Sequence, residues 1–322
     1  MATHTLALLT LKPGLFTGHG RNQAGEVWFA SLGTGDAAET HPPQAWLGGA
    51  DAARDVRSAR QHALHKGSFG DVIVVGSAPG MGGAALLAGR AALAGGAGRV
   101  YVSALNGGAP GLDMLWPELM LRPGLWRESA ALAGSTVVCG CGGGDAVRET
   151  LPLLLTRAAR LVLDADALNA IAADSALQTL LSAREGRGQA TVLTPHPLEA
   201  ARLAGLASAA EVQSDRLGQA RRLAERLGCV VLLKGSGSVI AAARQPSHIN
   251  ASGNARLASA GTGDVLAGWL GGLWAAAQSA VLPAAPQRVA VAAAWLHGAA
   301  AQGSDEHSPL TASQLLQRLV AA

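Results

Sequence analysis

The chain has few cysteines, few charges and few aromatic residues, and each shortage excludes a class of protein. Its three cysteines are too few, and odd in number, for a disulfide framework, which favours a reducing compartment. Charged residues make up 15% of the 322 positions and aromatic residues 3%, with no run of five Lys or Arg, so no nucleic-acid partner is expected. Because 49% of the residues are hydrophobic, disorder is excluded, and folding requires no metal or disulfide.

No membrane partner is expected either. Residues 265–287 carry no charge and are numerous enough for a membrane span. Ala and Gly dominate this stretch and Gln278 and Ser279 interrupt it, so we interpret it as a helix buried in an α/β protein. The first residues lack a basic start, and Lys12-Pro13 breaks their apolar run, which argues against a signal peptide. We therefore expect a soluble protein of the cytoplasm.

The first fifty residues differ in composition from the rest. Thr5–Thr10 and Glu26–Phe29 are predicted to be two short strands, in a segment too small to form a core of its own. The acidic residues and the Pro-Pro pair that follow are typical of a linker. We therefore divide the chain into a partial N-terminal unit (1–35), a linker (36–50) and a main domain (51–322), which opens on a helix-like stretch over Asp51–His65.

From residue 70 onward, short apolar runs alternate with helical patterns. The runs are continuous and rich in β-branched residues, which predicts a doubly wound α/β fold, a mostly parallel sheet with helices on both faces. In such folds ligands bind beyond the carboxyl ends of the strands, so we expect the site in the loops there. The predicted strands are Val72–Gly76, Arg99–Ser103, Thr136–Gly140, Leu161–Asp164, Thr191–Thr194 and Val230–Lys234.

The loop Ala260–Asp264 precedes the apolar helix that begins near Val265. Its glycines let the backbone turn sharply, and the N-terminus of a helix offers unpaired amides to an anion such as phosphate. Asp264 has two interpretations on the residues alone. It is either an N-cap, or a general base that takes a proton from a hydroxyl receiving a phosphoryl group.

Two further strand-end loops carry candidate functional groups. Residues 234–238, Lys-Gly-Ser-Gly-Ser, either contact the ribose or phosphates of a nucleotide or form an ordinary turn with a solvated lysine. His196 is held between two prolines, and is either structural or an acid, base or hydrogen-bond donor to a substrate. Glu199 is interpreted as a first-turn acid favoured by the helix dipole rather than as a metal ligand.

Other loops give weaker signals. Asp164 and Asp166 either hold Mg²⁺ through water or cap the next helix, and for Asp166 we favour the cap. The glycines at 140–144 let backbone lie against a ligand, whereas no zinc site is expected at the Cys-x-Cys pair there. The basic face of the helix predicted over Asp215–Leu227, which includes Arg216, is interpreted as solvated. The motifs of P-loop, Rossmann, zinc-protease and serine-hydrolase sites are absent from the sequence.

Together these motifs closely resemble those of the nucleotide-dependent NAD(P)H-hydrate dehydratases, a family of the ribokinase-like superfamily. Two loops depart from the family pattern: Gly-Cys-Gly-Gly-Gly replaces the usual Gly-Pro-Gly-Leu-Gly, and residues 250–254 replace Asn-Pro-Thr-Gly-Asn. The matching segments, in family order, are HKGSFG (65–70), GSAPGMGGAALLAG (76–89), GCGGG (140–144), LDADALN (163–169), TPHPLEA (194–200), VLLKGSGS (231–238), NASGNARLASAGTGDVLAG (250–268), His297-Gly298 and LTASQLL near the C-terminus.

The resemblance implies repair of hydrated NADH or NADPH. A phosphoryl group from ADP or ATP, with Mg²⁺, would activate the ring hydroxyl, and elimination of phosphate would restore the reduced cofactor. Asp264 would deprotonate that hydroxyl, and the amides of Gly261, Thr262 and Gly263 would form an anion hole. The residues implied to contact the nucleotide are Lys234, Gly235, Ser236, Gly237, Ser238 and Gly263. Those implied to line the substrate pocket are Ala84, Gly142, His196 and Asp264.

Residues 5–33 carry a second resemblance, to the closing strands of the epimerase domain that precedes the dehydratase in bifunctional members of the family. Because the rest of that domain does not precede them here, we expect no epimerase activity, and a separate NAD(P)H-hydrate epimerase as functional partner. A homo-oligomer, specifically a tetramer, is likewise implied only by the resemblance.

Two other functions are weighed against this one. A ribokinase-like small-molecule kinase, of the thiazole or hydroxymethylpyrimidine type, would use Asp264 identically, although such kinases do not combine the TPHP and HKGSFG segments. The intact Asp264 and its neighbouring glycines argue against a nucleotide-binding module that has lost turnover.

Overall fold

A computed structural model describes residues 1–34, 42–54, 56–57, 62–105, 111–278, 285–303 and 308–321. Within these ranges two strands form a small sheet and ten form a large one. The strands are β1 (His4–Leu8), β2 (Glu26–Ala30), β3 (Ala45–Gly48), β4 (Asp71–Gly76), β5 (Arg99–Ala104), β6 (Met120–Leu121), β7 (Thr136–Cys139), β8 (Arg160–Leu163), β9 (Ala190–Leu193), β10 (Val230–Leu233), β11 (Val239–Ala241) and β12 (Ser247–Asn250). The α-helices are α1 (Gly18–Ala24), α2 (Asp51–Arg54), α3 (Gly82–Ala94), α4 (Ser129–Gly134), α5 (Val147–Arg157), α6 (Ala165–Ala172), α7 (Ser175–Gly186), α8 (Pro197–Ala204), α9 (Ala209–Ser214), α10 (Arg216–Leu227), α11 (Thr262–Ala277), α12 (Pro286–Ala301) and α13 (Ala312–Ala321).

The large sheet has the strand order β3-β12-β11-β10-β9-β8-β7-β4-β5-β6. Neighbouring strands are parallel, except that β11 is antiparallel to β10 and β12. Each strand predicted for the main domain is present with its bounds shifted by no more than a residue, so the mostly parallel α/β fold is confirmed. The carboxyl ends of β4, β7, β8, β9 and β10 therefore meet at one edge of the sheet.

Two hydrophobic cores cover the two faces of the sheet. Successive side chains of a strand point to opposite faces, so in β4 Val72 and Val74 join one core while Ile73 and Val75 join the other. Helices α3, α11, α12 and α13 close the first core, and the second is closed by helices that include α5, α6, α8 and α10. Burial on both faces explains why these strands are continuously apolar.

The charge-free stretch that begins at Val265 lies largely in a buried helix, α11, as predicted. This helix packs closely on α3, because a Cβ at Gly268 or Gly272 would overlap the backbone of Ala88 or Ala92. In the part of the chain that the structure describes, no helix is long and apolar enough to cross a membrane.

The first seventy residues depart most from expectation. β1 and β2 form a parallel two-stranded sheet with α1 between them in the chain. The linker expected over 36–50 contains β3, which extends the large sheet by pairing with β12; composition does not reveal a strand whose partner lies 200 residues away. The helix expected over Asp51–His65 is wrong in length, since α2 ends at Arg54 and 62–65 are not helical. Residues 35–41, 55 and 58–61, on which parts of these predictions fall, lie outside the described residues.

Candidate active site

Loops after neighbouring strands pack against each other at the carboxyl edge of the sheet. The amides of Ser77 and Ala78, after β4, donate to the carbonyls of Cys141 (3.0 Å) and Gly142 (2.7 Å), after β7. Gly142 has a φ of +57°, and a Cβ there would lie 2.8 Å from the Cβ of Ala84, so glycine is required at this approach. Ala84 and Gly142, two predicted substrate contacts, therefore form one surface.

Asp264 lies in the first turn of α11 and faces the loops that follow β7 and β8. The Cys141 Sγ atom and one carboxylate oxygen each of Asp164 and Asp264 lie within 4.8 Å of one another. Burial, and then the negative charge of Asp164, raise the pKa of Asp264 to about 6, while a hydrogen bond from the Cys141 thiol acts in the opposite direction. Such a carboxylate is ionised at neutral pH and is a stronger base than an ordinary aspartate.

Lys234 and Asp164 form an ion pair beside this carboxylate. The Lys234 Nζ donates to Asp164 Oδ1 at 2.6 Å, and the Thr194 hydroxyl donates to the same oxygen at 2.9 Å. Burial is the largest single influence and acts to lower the pKa of Lys234, but the charges of Asp164 and Glu199 and the hydrogen bond to Asp164 together raise the pKa overall, so the lysine is charged. A Cβ at Gly263 would lie only 3.5 Å from Nζ, which places the start of α11 against the cation.

The loop before α11 is held from inside the protein. The Thr262 hydroxyl lies 2.8 Å from the carbonyls of both Leu257 and Ser259. His297, on α12, is buried and donates its Nε2 hydrogen to the Thr262 carbonyl at 3.0 Å. Burial lowers the pKa of His297 to about 4, so the ring is neutral at physiological pH and its role is to hold the loop.

The three amides of the predicted anion hole are not equivalent. Among the hydrogen bonds of the described residues, none has the amide of Gly261 or Gly263 as donor, whereas the Thr262 amide lies 3.4 Å from the Ser259 carbonyl. Gly261 has a φ of +85°, and a Cβ there would lie 2.8 Å from the Cδ1 atom of Leu87, so the turn requires glycine. The loop thus presents unpaired amides next to Asp264 at a helix N-terminus.

Arg216 holds the predicted nucleotide loop, residues 234–238. The prediction that Arg216 lies on a solvated face of its helix is wrong. Arg216 is 4% exposed, and its Nη2 atom donates to the carbonyls of Leu233 (3.3 Å), Lys234 (3.2 Å) and Gly237 (3.4 Å). Burial lowers its pKa to about 10. The sequence did contain a signal, because Arg216 lies at helical spacing on the apolar stripe of α10. The other buried residues of that helix are Ala220, Leu223, Ala224 and Leu227.

His196 is the N-cap of α8 and uses both ring nitrogens locally. Nδ1 accepts from the Leu198 amide at 3.1 Å, and Nε2 lies 3.2 Å from Glu199 Oε1. Glu199 in turn accepts from the His196 amide at 2.8 Å, which completes a capping box and confirms Glu199 as a first-turn acid. Burial acts to raise the pKa of Glu199, but bonding to His196 and the charge of Lys234 lower it overall. Contact of His196 with a substrate stays a prediction.

Asp166 does not cap the helix in which it lies, and that prediction is wrong. Its Oδ2 atom accepts from the Gly144 amide at 2.8 Å, because this backbone group of the neighbouring loop is within reach of the first turn of α6. Asp166 thereby joins the loops after β7 and β8. Cys139, Cys141 and Cys229 are buried and unpaired, and burial raises the pKa of the Cys141 thiol well above its usual value.

The residues around Asp264 fit a magnesium ion carried by a nucleotide. Asp164 and Asp264 present carboxylate oxygens within 4.8 Å of each other, which suits an oxygen-binding cation. Lys234 already bonds one oxygen of Asp164, and the protonated thiol of Cys141 is not a magnesium ligand. Few direct protein bonds therefore remain, so the ion would be held mainly by phosphates and water, with these two carboxylates at its edge.

The fold is of the ribokinase-like class, and its site combines a carboxylate base with unpaired amides at a helix N-terminus. The chain belongs to the NAD(P)H-hydrate dehydratase family, since the family model with that description matches residues 72–321.

Relatives with curated names agree with this assignment. The chain is 38% identical, over 83% of its length and 88% of the relative's, to the ADP-dependent (S)-NAD(P)H-hydrate dehydratase of Neisseria meningitidis serogroup B. It is 37% identical, over 93% of its length, to the bifunctional NAD(P)H-hydrate repair enzyme of Escherichia coli K12, but spans only 56% of that longer protein. A solved structure of the ADP/ATP-dependent NAD(P)H-hydrate dehydratase of Bacillus subtilis, co-crystallised with ATP and Mg²⁺, matches with a TM-score of 0.64 and 27% identity, covering 82% of this chain and 93% of that one.

Proposed function

We propose that the chain catalyses the nucleotide-dependent dehydration of the S epimer of NAD(P)H hydrate. The ring hydroxyl attacks the terminal phosphorus of ADP or ATP and loses its proton, and the nucleotide leaves with one phosphate fewer. The bond between the ring carbon and the ester oxygen then breaks and inorganic phosphate leaves, while the neighbouring ring carbon loses a proton and a double bond forms, which restores NADH or NADPH. The observation that carries this proposal is Asp264, a half-buried carboxylate with a raised pKa beside unpaired helix amides.

Asp264 is the general base in this proposal. A base with a pKa of about 6 is ionised at neutral pH and takes the hydroxyl proton as the oxygen attacks phosphorus. The hydroxyl must approach both Asp264 and the phosphoryl group, so the phosphoryl group must lie close to Asp264 and to the helix amides beside it. The amides of Gly261, Thr262 and Gly263 would there stabilise the negative charge that develops on the transferring phosphoryl oxygens. The Gly261 and Gly263 amides would contribute most, since the Thr262 amide is shared with the Ser259 carbonyl.

The nucleotide and the hydrate approach from opposite sides of this centre in the proposal. Lys234, Gly235, Ser236, Gly237, Ser238 and Gly263 contact the adenine nucleotide, with the Lys234 cation nearest its phosphates. Ala84, Gly142 and His196 line the pocket for the hydrated dinucleotide. Asp164 and Asp264 would lie beside a Mg²⁺ ion carried by the nucleotide, and such an ion would supply neutralisation of the phosphate charge.

The wider setting of the enzyme is proposed from the same resemblance. The chain acts in the cytoplasm as a homo-oligomer, expected to be a tetramer. Residues 1–35 correspond to part of an epimerase-type domain, and a separate epimerase supplies the S epimer. A chain that by itself consumes both epimers rapidly would contradict this division of labour.

The test uses purified chain, the separated R and S hydrates, Mg²⁺, and either ADP or ATP, followed by the absorbance of reduced nicotinamide. We expect the S epimer alone to be converted, with release of one phosphate for each cofactor restored. Asp264→Asn should lower kcat by a factor of about 10²–10⁴, the usual contribution of a general base, with nucleotide binding little changed. Asp145→Asn, which alters a fully exposed carboxylate of the loop after β7, is the matched control and should leave turnover unchanged.

The kinase alternative predicts a different product. A small-molecule kinase would accumulate a stable phosphorylated thiazole or pyrimidine alcohol and restore no reduced nicotinamide. Full activity of Asp264→Asn, or no conversion of either hydrate by the wild-type chain, would refute the proposed reaction.

A further inference from the structure

The N-terminal residues contact the predicted nucleotide loop directly. We call residues 16–21 the N-terminal bridge. The Gly18 amide donates to the Ser236 carbonyl at 2.9 Å. A Cβ at Gly237, whose φ is +62°, would overlap the carbonyl of Phe16, so this position has room only for glycine. The backbone of the bridge therefore lies directly on residues 236–237.

The other end of the bridge reaches the loop that leads to α11. Arg21 donates through Nη2 to the carbonyls of Ala251 (2.8 Å) and Gly253 (2.9 Å), and through Nη1 to the carbonyl of Ser252 (3.4 Å). None of the ion pairs among the described residues includes Arg21, so its guanidinium serves these carbonyls. A planar fork of donors suits three successive carbonyls better than the single ammonium of a lysine.

The loop 251–253 is fixed on its far side to α12. The Ser252 hydroxyl donates to the Trp295 carbonyl at 2.7 Å, and two residues along the same helix His297 holds the Thr262 carbonyl. Arg21 thus bonds the loop 251–253 on one side, and α12 holds the same loop on the other. Through His297, α12 also holds the turn at the start of α11 that carries the predicted anion hole. The N-terminal bridge therefore contacts both the loop 251–253 and the predicted nucleotide loop, and joins the two.

We propose that Arg21 is a positioning residue for the adenine nucleotide, and that the N-terminal bridge sets the spacing of residues 235–238 and 251–253 for nucleotide binding. This inference rests on the proposed function. It extends the site beyond residues 72–321, which are those that the dehydratase family model matches. Because Arg21 bonds backbone carbonyls of the loop and not the groups around Asp264, its effect falls on nucleotide affinity and not on the chemical step.

The test compares three variants of the full chain. Arg21→Gln should raise the Kd of ADP and of ATP, measured by calorimetry, and the KM of each nucleotide about three- to tenfold, the range expected for lost hydrogen bonds. The values of kcat and of KM for the S hydrate should stay within about twofold of wild type. Arg21→Lys keeps the positive charge but loses the planar guanidinium, and should give nucleotide Kd and KM values between those of the wild type and Arg21→Gln.

The matched control removes a cation from the same part of the chain. Lys12 is exposed, and among the described residues its ammonium donates to the carbonyls of Leu8 and Thr10 alone, so Lys12→Gln should leave nucleotide affinity unchanged. Hydrogen exchange should quicken at the amides of 236–238 and 251–254 in Arg21→Gln and not in Lys12→Gln.

The outcomes separate this inference from the proposed function. A wild-type chain that binds no adenine nucleotide would overturn the proposed function. A wild-type chain that binds nucleotide, together with Arg21→Gln binding equally tightly, would overturn the bridge alone. A parallel fall in kcat and thermal stability, with no change specific to nucleotide affinity, would assign Arg21 a merely structural role and also overturn the inference.

Discussion

The proposed catalytic centre around Asp264 and the predicted nucleotide loop lie side by side at one edge of the sheet but are held in different ways. In the centre, functional side chains hold one another: Lys234 bonds Asp164, and Asp164 in turn helps to raise the pKa of Asp264. The nucleotide loop presents mainly backbone and is held from outside, by the guanidinium of Arg216 on one side and the N-terminal bridge on the other.

This difference teaches which property each region controls. Buried charges are stable only when paired, so a change in the centre alters ionisation, stability and chemistry together. A bond from a guanidinium to a carbonyl fixes where the backbone lies without touching the reacting atoms. Variants of the centre should therefore change kcat and stability, and variants behind the loop should change nucleotide affinity.

Lys234→Met should have the largest effect on stability. It keeps the apolar stem but leaves Asp164, which is 2% exposed, without its cation. Removing one partner of a buried ion pair typically destabilises a protein by about 3–5 kcal/mol, and urea unfolding measures this loss. Adding Asp164→Asn should recover part of the stability but none of the turnover. An unchanged unfolding free energy in Lys234→Met would show that the centre does not depend on this pair.

The sequence predicted which loops would meet at this edge because loops that follow buried strands have a recognisable pattern. Short apolar runs located β4, β7, β8, β9 and β10, and in a parallel sheet their carboxyl ends must meet. Glycine-rich segments after those strands then indicated where backbone approaches a ligand, as at Gly142 and Gly261. The acidic residue of the last loop, Asp264, follows from the same argument, although the residues alone did not choose between a cap and a base.

Sequence patterns do not predict the side chains that hold the loops of the site when the bonds involved are tertiary contacts. Arg21 binds carbonyls some 230 positions away in the chain, and no local pattern encodes such a bond. Asp166 bonds a neighbouring loop instead of its own helix for the same reason. The charge of Arg216 favours a solvated position, but its spacing along α10 places it on the buried stripe of that helix.

Asp264→Asn should stabilise the protein at about pH 8 while it lowers kcat as proposed above. The pKa of Asp264 is raised from 3.8 to about 6, so the folded state binds more protons than the unfolded state between these values, and the wild type loses stability as the pH rises through them. At about pH 8 the ionised carboxylate destabilises the fold by about 3 kcal/mol, and at about pH 5 by about half of that. Urea unfolding of both proteins at the two pH values measures the gap. A gap that does not shrink toward low pH would show that Asp264 is not desolvated.

Arg216→Gln should weaken nucleotide binding by the loop 234–238. The change in binding free energy should be smaller than the changes in unfolding free energy expected for Lys234→Met and Asp264→Asn. The carbonyls of Leu233, Lys234 and Gly237 lose their common donor, so the loop shifts and the KM for ADP or ATP should rise about tenfold, with kcat changed far less. Arg222→Gln on the same helix removes an exposed arginine paired with Asp215 and is the control. Loss of kcat at unchanged nucleotide KM in Arg216→Gln would break the division between the two regions.

Cys141→Ala should give the smallest effect of these variants, a change in the pH dependence of kcat through the neighbouring Asp264. The Cys141 thiol lies beside the Asp264 carboxylate and lowers its pKa, so its removal leaves burial and the charge of Asp164 less opposed and the pKa rises further. Because the base acts when ionised, the acidic limb of the kcat profile should move to higher pH, by about half a unit to one unit. Cys141→Ser retains a donor and should keep the wild-type limb. A shift in the alanine variant alone would show that this chain adjusts the pKa of its base through the Cys141 thiol. An identical limb in all three proteins would place the control of the pKa in burial and the negative charge of Asp164 instead.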